Sequence, residues 1–306
     1  MNRVLNMRKP QALAFIILLS FAAAGALNAQ TQPGFPLPMT DVLGRRVTVE
    51  ARPVRIVSLS PAVTEILFAI GAGPQVVGVT EYCNYPPEAA VIARVGGFSG
   101  ITVNVEQIAL LKSDLIILSG EMHQRIIELL DRLSIKSFAV EPRNFSEVYD
   151  TIITIGRLTG NVENAERVVA EMKGKLGRAG MRRQGRERPS VFWELSPDPL
   201  MSAGKNTFIS EAIALAGGRN VFDDMNGSWP TVSLEQLIVR APQWILAGDM
   251  LGKEVNPAVY ARRPGWSRIP AVRNGNIAVV NPDTLYRYGP RLADAVLAIS
   301  EIIFHN

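Results

Sequence analysis

Two short segments of the chain put a carboxylate at the same place in the same local pattern. Thr102-Val-Asn-Val-Glu-Gln-Ile108 returns as Thr231-Val-Ser-Leu-Glu-Gln-Leu237. Each copy sets Asn104 or Ser233 where a helix N-cap belongs, with Gln107 or Gln236 three residues on to complete a capping box. Glu106 and Glu235 then fall in the first turns of equivalent helices, one in each half of the chain. An acid in a first turn meets the positive end of the helix dipole, which accounts for either residue alone. It does not account for the same acid in both copies. Two separated, exposed carboxylates are what a partner with two basic patches would read.

Aromatic residues supply the second candidate chemistry. Ser228-Trp-Pro230 runs directly into the second copy, and a Trp ahead of a Pro is held extended, either as a plug over its half or as a stacking surface at a cleft. Phe98 occupies the corresponding approach to the first copy, and the two rings facing one another would suit a large flat ligand. Tyr82, in Glu81-Tyr-Cys-Asn-Tyr-Pro-Pro87, is equally consistent with packing and with a cleft wall. Cys83 beside it has no electropositive neighbours and reads as inert packing. With two histidines in the chain, a His-rich metal receptor lacks ligands; His123 reads as a solvated helix residue. Nucleophile elbow, Walker loop, His-x-x-x-His and Cys-x-x-Cys are all missing, so no catalytic residue and no cofactor is assigned. An enzyme acting on a metal chelate would need a nucleophile–base pair or redox site that the sequence does not offer.

The elements that would carry these residues alternate. Strand-like runs at 55–59, 76–80, 114–118 and 135–140 are separated by helical stretches, which predicts an α/β lobe with a parallel sheet. From Phe145 to about Gln184 the strand signal stops and helical periodicity takes over, with Gly160-Asn161 as a kink. Alternation resumes at Ser190-Val-Phe-Trp-Glu194 and runs through 277–280 to a last helix at 292–304. The expected fold is two Rossmann-like α/β lobes, 30–144 and 185–306, joined by one long helix over 145–184. A helical connector is stiffer than crossing strands, so the lobes should move little.

The 306 residues begin with Arg3, Arg8 and Lys9, an uncharged apolar run over 12–25 and small residues near Ala29. That is the layout of a cleaved secretory leader over 1–29. These three bases and no acid fall in it, leaving 29 Lys and Arg against 28 Asp and Glu. A nearly neutral remainder gives no electrostatic case for nucleic acid. No later run reads as a membrane span. With no cysteine beside the leader to carry a lipid, the expectation is a free periplasmic protein.

Arg55-Ile-Val-Ser-Leu-Ser-Pro-Ala-Val-Thr-Glu65, Tyr82-x-x-Tyr-Pro-Pro87, Trp229-Pro-Thr-Val-Ser-Leu-Glu-Gln236 and Asp283-x-x-x-Arg287-x-Gly-Pro-Arg291 resemble, in order, motifs of the periplasmic binding proteins for ferric siderophores, haem and cobalamin. The similarity runs from about Asp41 onward, and among these proteins it is to the vitamin B12 (cobalamin) receptors of ABC importers. The resemblance implies a non-catalytic receptor that captures cobalamin or a related corrinoid between its lobes. Pro61, Ala62, Tyr82, Phe98, Trp229, Asp283 and Arg287 would line the cleft. Glu106 and Glu235 would dock on arginines of an ABC permease dimer driven by its ATPase. Phe98 and Ser119 stand where the resemblance implies Trp, and the family's C-lobe cysteine pair is absent. A ferric-siderophore or haem receptor is the alternative; an enzyme is a remote one.

Overall fold

Runs such as Leu115–Ser119 and Ser190–Glu194 are buried along nearly their whole length, which a strand achieves only when both faces of its sheet are covered. The computed structural model describes residues 34–248 and 256–305; the expected leader at 1–29 lies outside them.

The N-lobe consists of β1 (Leu37–Thr40), β2 (Arg46–Val49), β3 (Ile56–Ser58), α1 (Pro61–Ala69), β4 (Val76–Val79), β5 (Ala93–Arg94), α2 (Val105–Leu110), β6 (Leu115–Ser119), α3 (Gln124–Arg132) and β7 (Ser137–Val140). Strands β5-β4-β3-β6-β7 form one parallel sheet. The chain builds outward from β3 in one direction, then returns to its other side at β6, so a topological switch point lies between them. The hairpin β1–β2 was not expected. Asp41 fixes it, accepting from the backbone N–H groups of Leu43, Arg45 and Ala139 and from the Arg45 guanidinium.

Two helices follow, α4 (Phe145–Thr159) and α5 (Val162–Arg183). The stretch expected as one helix therefore divides at the anticipated kink, where Gly160 takes φ 68° and closes α4, a left-handed conformation that glycine adopts without strain. Only α5 spans the lobes. Near its start the Asn164 amide donates to the Ile70 carbonyl, and near its end the Ser300 hydroxyl donates to the Ala179 carbonyl. Its 22 residues make a strut of roughly 33 Å at 1.5 Å per residue.

The C-lobe contains β8 (Ser190–Glu194), β9 (Ser196–Pro197), β10 (Leu200–Met201), α6 (Phe208–Leu215), β11 (Arg219–Asn220), α7 (Leu234–Arg240), β12 (Trp244–Ala247), α8 (Pro270–Arg273), β13 (Ile277–Val279), α9 (Pro282–Tyr286) and α10 (Leu292–Ile303). Its parallel sheet has the order β11-β8-β12-β13. One buried apolar cluster runs without a break from α1 through α4 and α5 into α6 and α10, and each sheet's other face carries its own cluster. A shared core makes the two lobes one body. Among the described residues no helix is long and apolar enough to cross a membrane.

Candidate functional site

The carboxyl ends of the N-lobe strands face the C-lobe across a cleft of about 930 Å³. That is near the upper end for small-molecule sites, which run to about 1,000 Å³. The turn after β3 contributes Ser60, Pro61 and Ala62, that after β4 Glu81 and Tyr82, and the segment ahead of α2 contributes Phe98. The end of β6 adds Ser119, and that of β7 adds Val140 and Glu141. From the C-lobe come Asp283, Tyr286, Arg287 and Tyr288. The C-lobe enters the cleft in this way because the end of β8 is closed off. There Glu194 is buried, accepts a 2.8 Å bond from the Tyr260 hydroxyl and is paired with Arg263.

Six of the seven expected ligand residues, Pro61, Ala62, Tyr82, Phe98, Asp283 and Arg287, are thus brought together. Trp229 is the correction. Its ring is 39 % exposed and not part of the cleft lining, so the expected pair of facing aromatics does not form. The backbone explains why. Pro230 O and Ser228 O accept from Ser202 N and Gly204 N, which holds the segment against the C-lobe's own surface. Phe98 makes an aromatic contact sideways, edge-on to His123 at 6.0 Å.

His123 is also corrected: it is fully buried rather than solvated. It sits at the N-cap of α3, ahead of the helical phase from which solvation was read. Nε2 lies 2.8 Å from the Phe98 carbonyl, and Nδ1 lies 3.2 Å from the Ser119 N–H that can donate to it. Nδ1 also lies 3.1 Å from the Ser119 carbonyl, so a proton on either ring nitrogen finds an acceptor. Burial is the main cause that pulls its pKa below the ordinary 6.5, against the two backbone bonds and the charge of Glu141, which raise it. Cys83 is buried between the Thr64 and Thr80 hydroxyls, each 3.1 Å away, in agreement with inert packing.

Arg287 turns out to have two duties. Besides lining the cleft, it lies 3.0 Å from Asp283, donates to the Asn84 side-chain oxygen at 2.6 Å and reaches Glu65 at 3.4 Å. Glu65, 2 % exposed, also takes a two-bonded grip from Arg291 at 2.8 and 2.5 Å, and the Arg291 guanidinium lies over the Tyr85 ring at 3.9 Å. Helix α1 of one lobe is thereby tied to the segment between α9 and α10 of the other. Sequence reasoning passed over Glu65, although an acid inside the apolar run Val63-Thr-Glu-Ile-Leu67 was a signal that a buried cation must meet it. It also passed over Glu141, for which no local pattern gave a cue.

The repeated glutamates sit where expected, exposed in the first turns of α2 and α7. The capping box is complete for Ser233 and Gln236; for Asn104 only the bond from the Gln107 N–H is made. Backbone hydrogen bonding at its own position, then the Ser233 hydroxyl, lowers the pKa of Glu235.

Residues 56–284 match the family model described as periplasmic binding protein. A Bacillus subtilis protein named ABC transporter substrate-binding lipoprotein YvrC is 33 % identical over 280 residues, 88 % of this chain and 86 % of that protein. The vitamin B12-binding protein of Pectobacterium carotovorum is 32 % identical over 245 residues, 79 % of this chain and 85 % of the relative. The crystal structure of a possible iron-binding, periplasmic solute-binding protein of Staphylococcus epidermidis superposes with a TM-score of 0.73. It is 29 % identical and covers 82 % of this chain and 99 % of that one. The Bacillus relative corrects the expected location. That relative is named as a lipoprotein, a lipid-anchored form, so the reading of a free periplasmic protein does not stand.

Proposed function

The chain belongs to the periplasmic binding protein family, and from that premise we propose that it captures cobalamin or a close corrinoid in its cleft and hands it to an ABC permease. The observation that supports this most is the convergence of Pro61, Ala62, Tyr82, Phe98, Asp283 and Arg287, singled out along 227 residues of sequence from Pro61 to Arg287, on one cavity of about 930 Å³. Pro61, Ala62, Val63, Phe98 and Val140 give the cleft apolar walls, as a flat macrocycle requires, and Tyr82, 59 % exposed, presents a ring for it to lie against. The role is capture and delivery; no bond is made or broken. Glu106 and Glu235 would seat the receptor on the two permease subunits.

Titration of the purified protein with cyanocobalamin, followed by calorimetry, tests the ligand. We expect one-to-one binding with Kd below about 1 μM, or roughly 8 kcal/mol. No heat at tens of micromolar ligand removes the corrinoid. A ferric-siderophore or haem receptor is the second reading, favoured by the description of the Staphylococcus epidermidis structure as possibly iron-binding; submicromolar binding of such a chelate in place of cobalamin would establish it.

A further inference from the structure

The charges around the cleft are unbalanced. Among the described residues that line it, Glu81, Glu141 and Asp283 face a single cation, Arg287. That cation is already engaged by Asp283, Asn84 and Glu65. Glu65 draws on a second arginine, Arg291, but Arg291 lies outside the cleft lining. Asp283 is spent on that same arginine, so the uncompensated negative charge a ligand meets is that of Glu81 and Glu141.

Glu141 is the sharpest part of this imbalance. Its Oε2 is shielded from solvent and has no hydrogen-bond partner. An acceptor left in that condition is destabilising, more so when charged, so it persists where something else supplies the donor. Position gives the reason. Glu141 follows β7 directly, at the carboxyl end of the sheet where a bound ligand lies. Its neighbours bring no positive charge to it: His123 spends its Nε2 on the Phe98 carbonyl, and Tyr288, whose pKa burial and then Glu141 raise, is an uncharged hydroxyl.

We propose that the cleft selects its ligand by charge: it admits a neutral or cationic chelate with N–H donors on its rim, one of them received by Glu141, and rejects a chelate whose rim carries carboxylates. This deepens the corrinoid reading and rests on it for the shape of the ligand, but not for its charge. Corrinoids suit the rule because their side chains end in primary amides, each with two N–H donors.

A matched pair tests it on the intact protein. Dicyanocobinamide and dicyanocobyrinic acid share ring and metal, but the second carries carboxylates in place of the amides. Like-charge juxtaposition costs several kcal/mol, so the amide form should bind wild-type protein at least about tenfold more tightly. Glu141→Gln, which keeps shape and loses charge, should narrow that ratio by about tenfold while its melting temperature stays at or above that of wild type. Equal affinity for the two corrinoids, or an unchanged ratio in Glu141→Gln, overturns the proposal and leaves the corrinoid reading standing. A cationic ferric trihydroxamate and an anionic ferric tris-catecholate form a second pair, run alongside. If neither corrinoid binds but the cationic iron chelate is preferred, charge selection holds and the corrinoid reading fails. Preference for the anionic chelate, tight binding of haem with its two propionates, or no binding by any member overturns the proposal.

Discussion

His123 ties the cleft wall together through Nε2, 2.8 Å from the Phe98 carbonyl, and Nδ1, which lies against both the N–H and the carbonyl of Ser119. Protonation buries a charge, a cost that the Phe98 and Ser119 carbonyls and Glu141 offset only in part. The folded-state pKa lies below the ordinary 6.5, so below that pH the unfolded chain binds more protons than the folded one. This contribution to stability is full above about 6.5 and is lost as the pH falls from 6.5 toward the lowered value. His123→Phe should cost about 1–3 kcal/mol at pH 7.5 by leaving the Phe98 carbonyl and Ser119 N–H unpaired. It should lose less further stability than wild type between pH 7.5 and 5.5. Urea unfolding at both pH values checks it, and equal losses in the two proteins would show that the ring does not titrate in this range. The helical periodicity of 121–133 points to a solvated histidine because it starts three residues ahead of α3, whose first residue is Gln124. A residue ahead of the first turn has no face assignment, and its environment is set by the loop at Phe98, distant in sequence.

Helices and strands were the most legible level, for a physical reason. The start of α1 at Pro61, the stop at Gly71, the Ser233 box and the kink at Gly160 are each encoded within a few residues. The β1–β2 hairpin was not, since its turn is fixed by Asp41 reaching Ala139 across the lobe. Nor was the tie between elements made by Glu65 and Arg291, whose Oε and N atoms meet across 226 positions. This pair is almost wholly desolvated, with side-chain exposures of 2 % for Glu65 and 17 % for Arg291. Removing one member of such a pair strands the other, at a cost of about 3–5 kcal/mol, whereas apolar replacement of both is often neutral. We expect Arg291→Met to fall in or just below that range, since Arg287 still reaches Glu65 at 3.4 Å, and Glu65→Leu with Arg291→Met to recover most of the loss. A double-mutant cycle on unfolding free energies measures the coupling. Additive losses would mean that α1 and the 287–291 segment are held by packing alone.

At the scale of the whole molecule, the shared core through α4, α5 and α10 has a consequence for Glu106 and Glu235. Because the lobes form one body, the vector between the two carboxylates is set by the fold and does not depend on how each loop relaxes. Alone, each acid is a helix-terminal charge with a local role, and Glu235 already has one in the capped first turn of α7. Under the proposed docking role they would together be a two-point gauge, which a permease dimer with an arginine patch on each subunit could read in one orientation. That arrangement predicts non-additivity that capping does not. Glu106→Arg and Glu235→Arg should each reduce ligand uptake in cells, and the double reversal should abolish it, while the isolated protein keeps its ligand affinity because neither residue lines the cleft. Reversal of the matching permease arginines to glutamate should restore uptake only when both lobes are re-paired. If both acids serve only their helix termini, the double reversal lowers the melting temperature slightly and uptake at equal protein level stays normal, and that result would remove the docking role from the repeat.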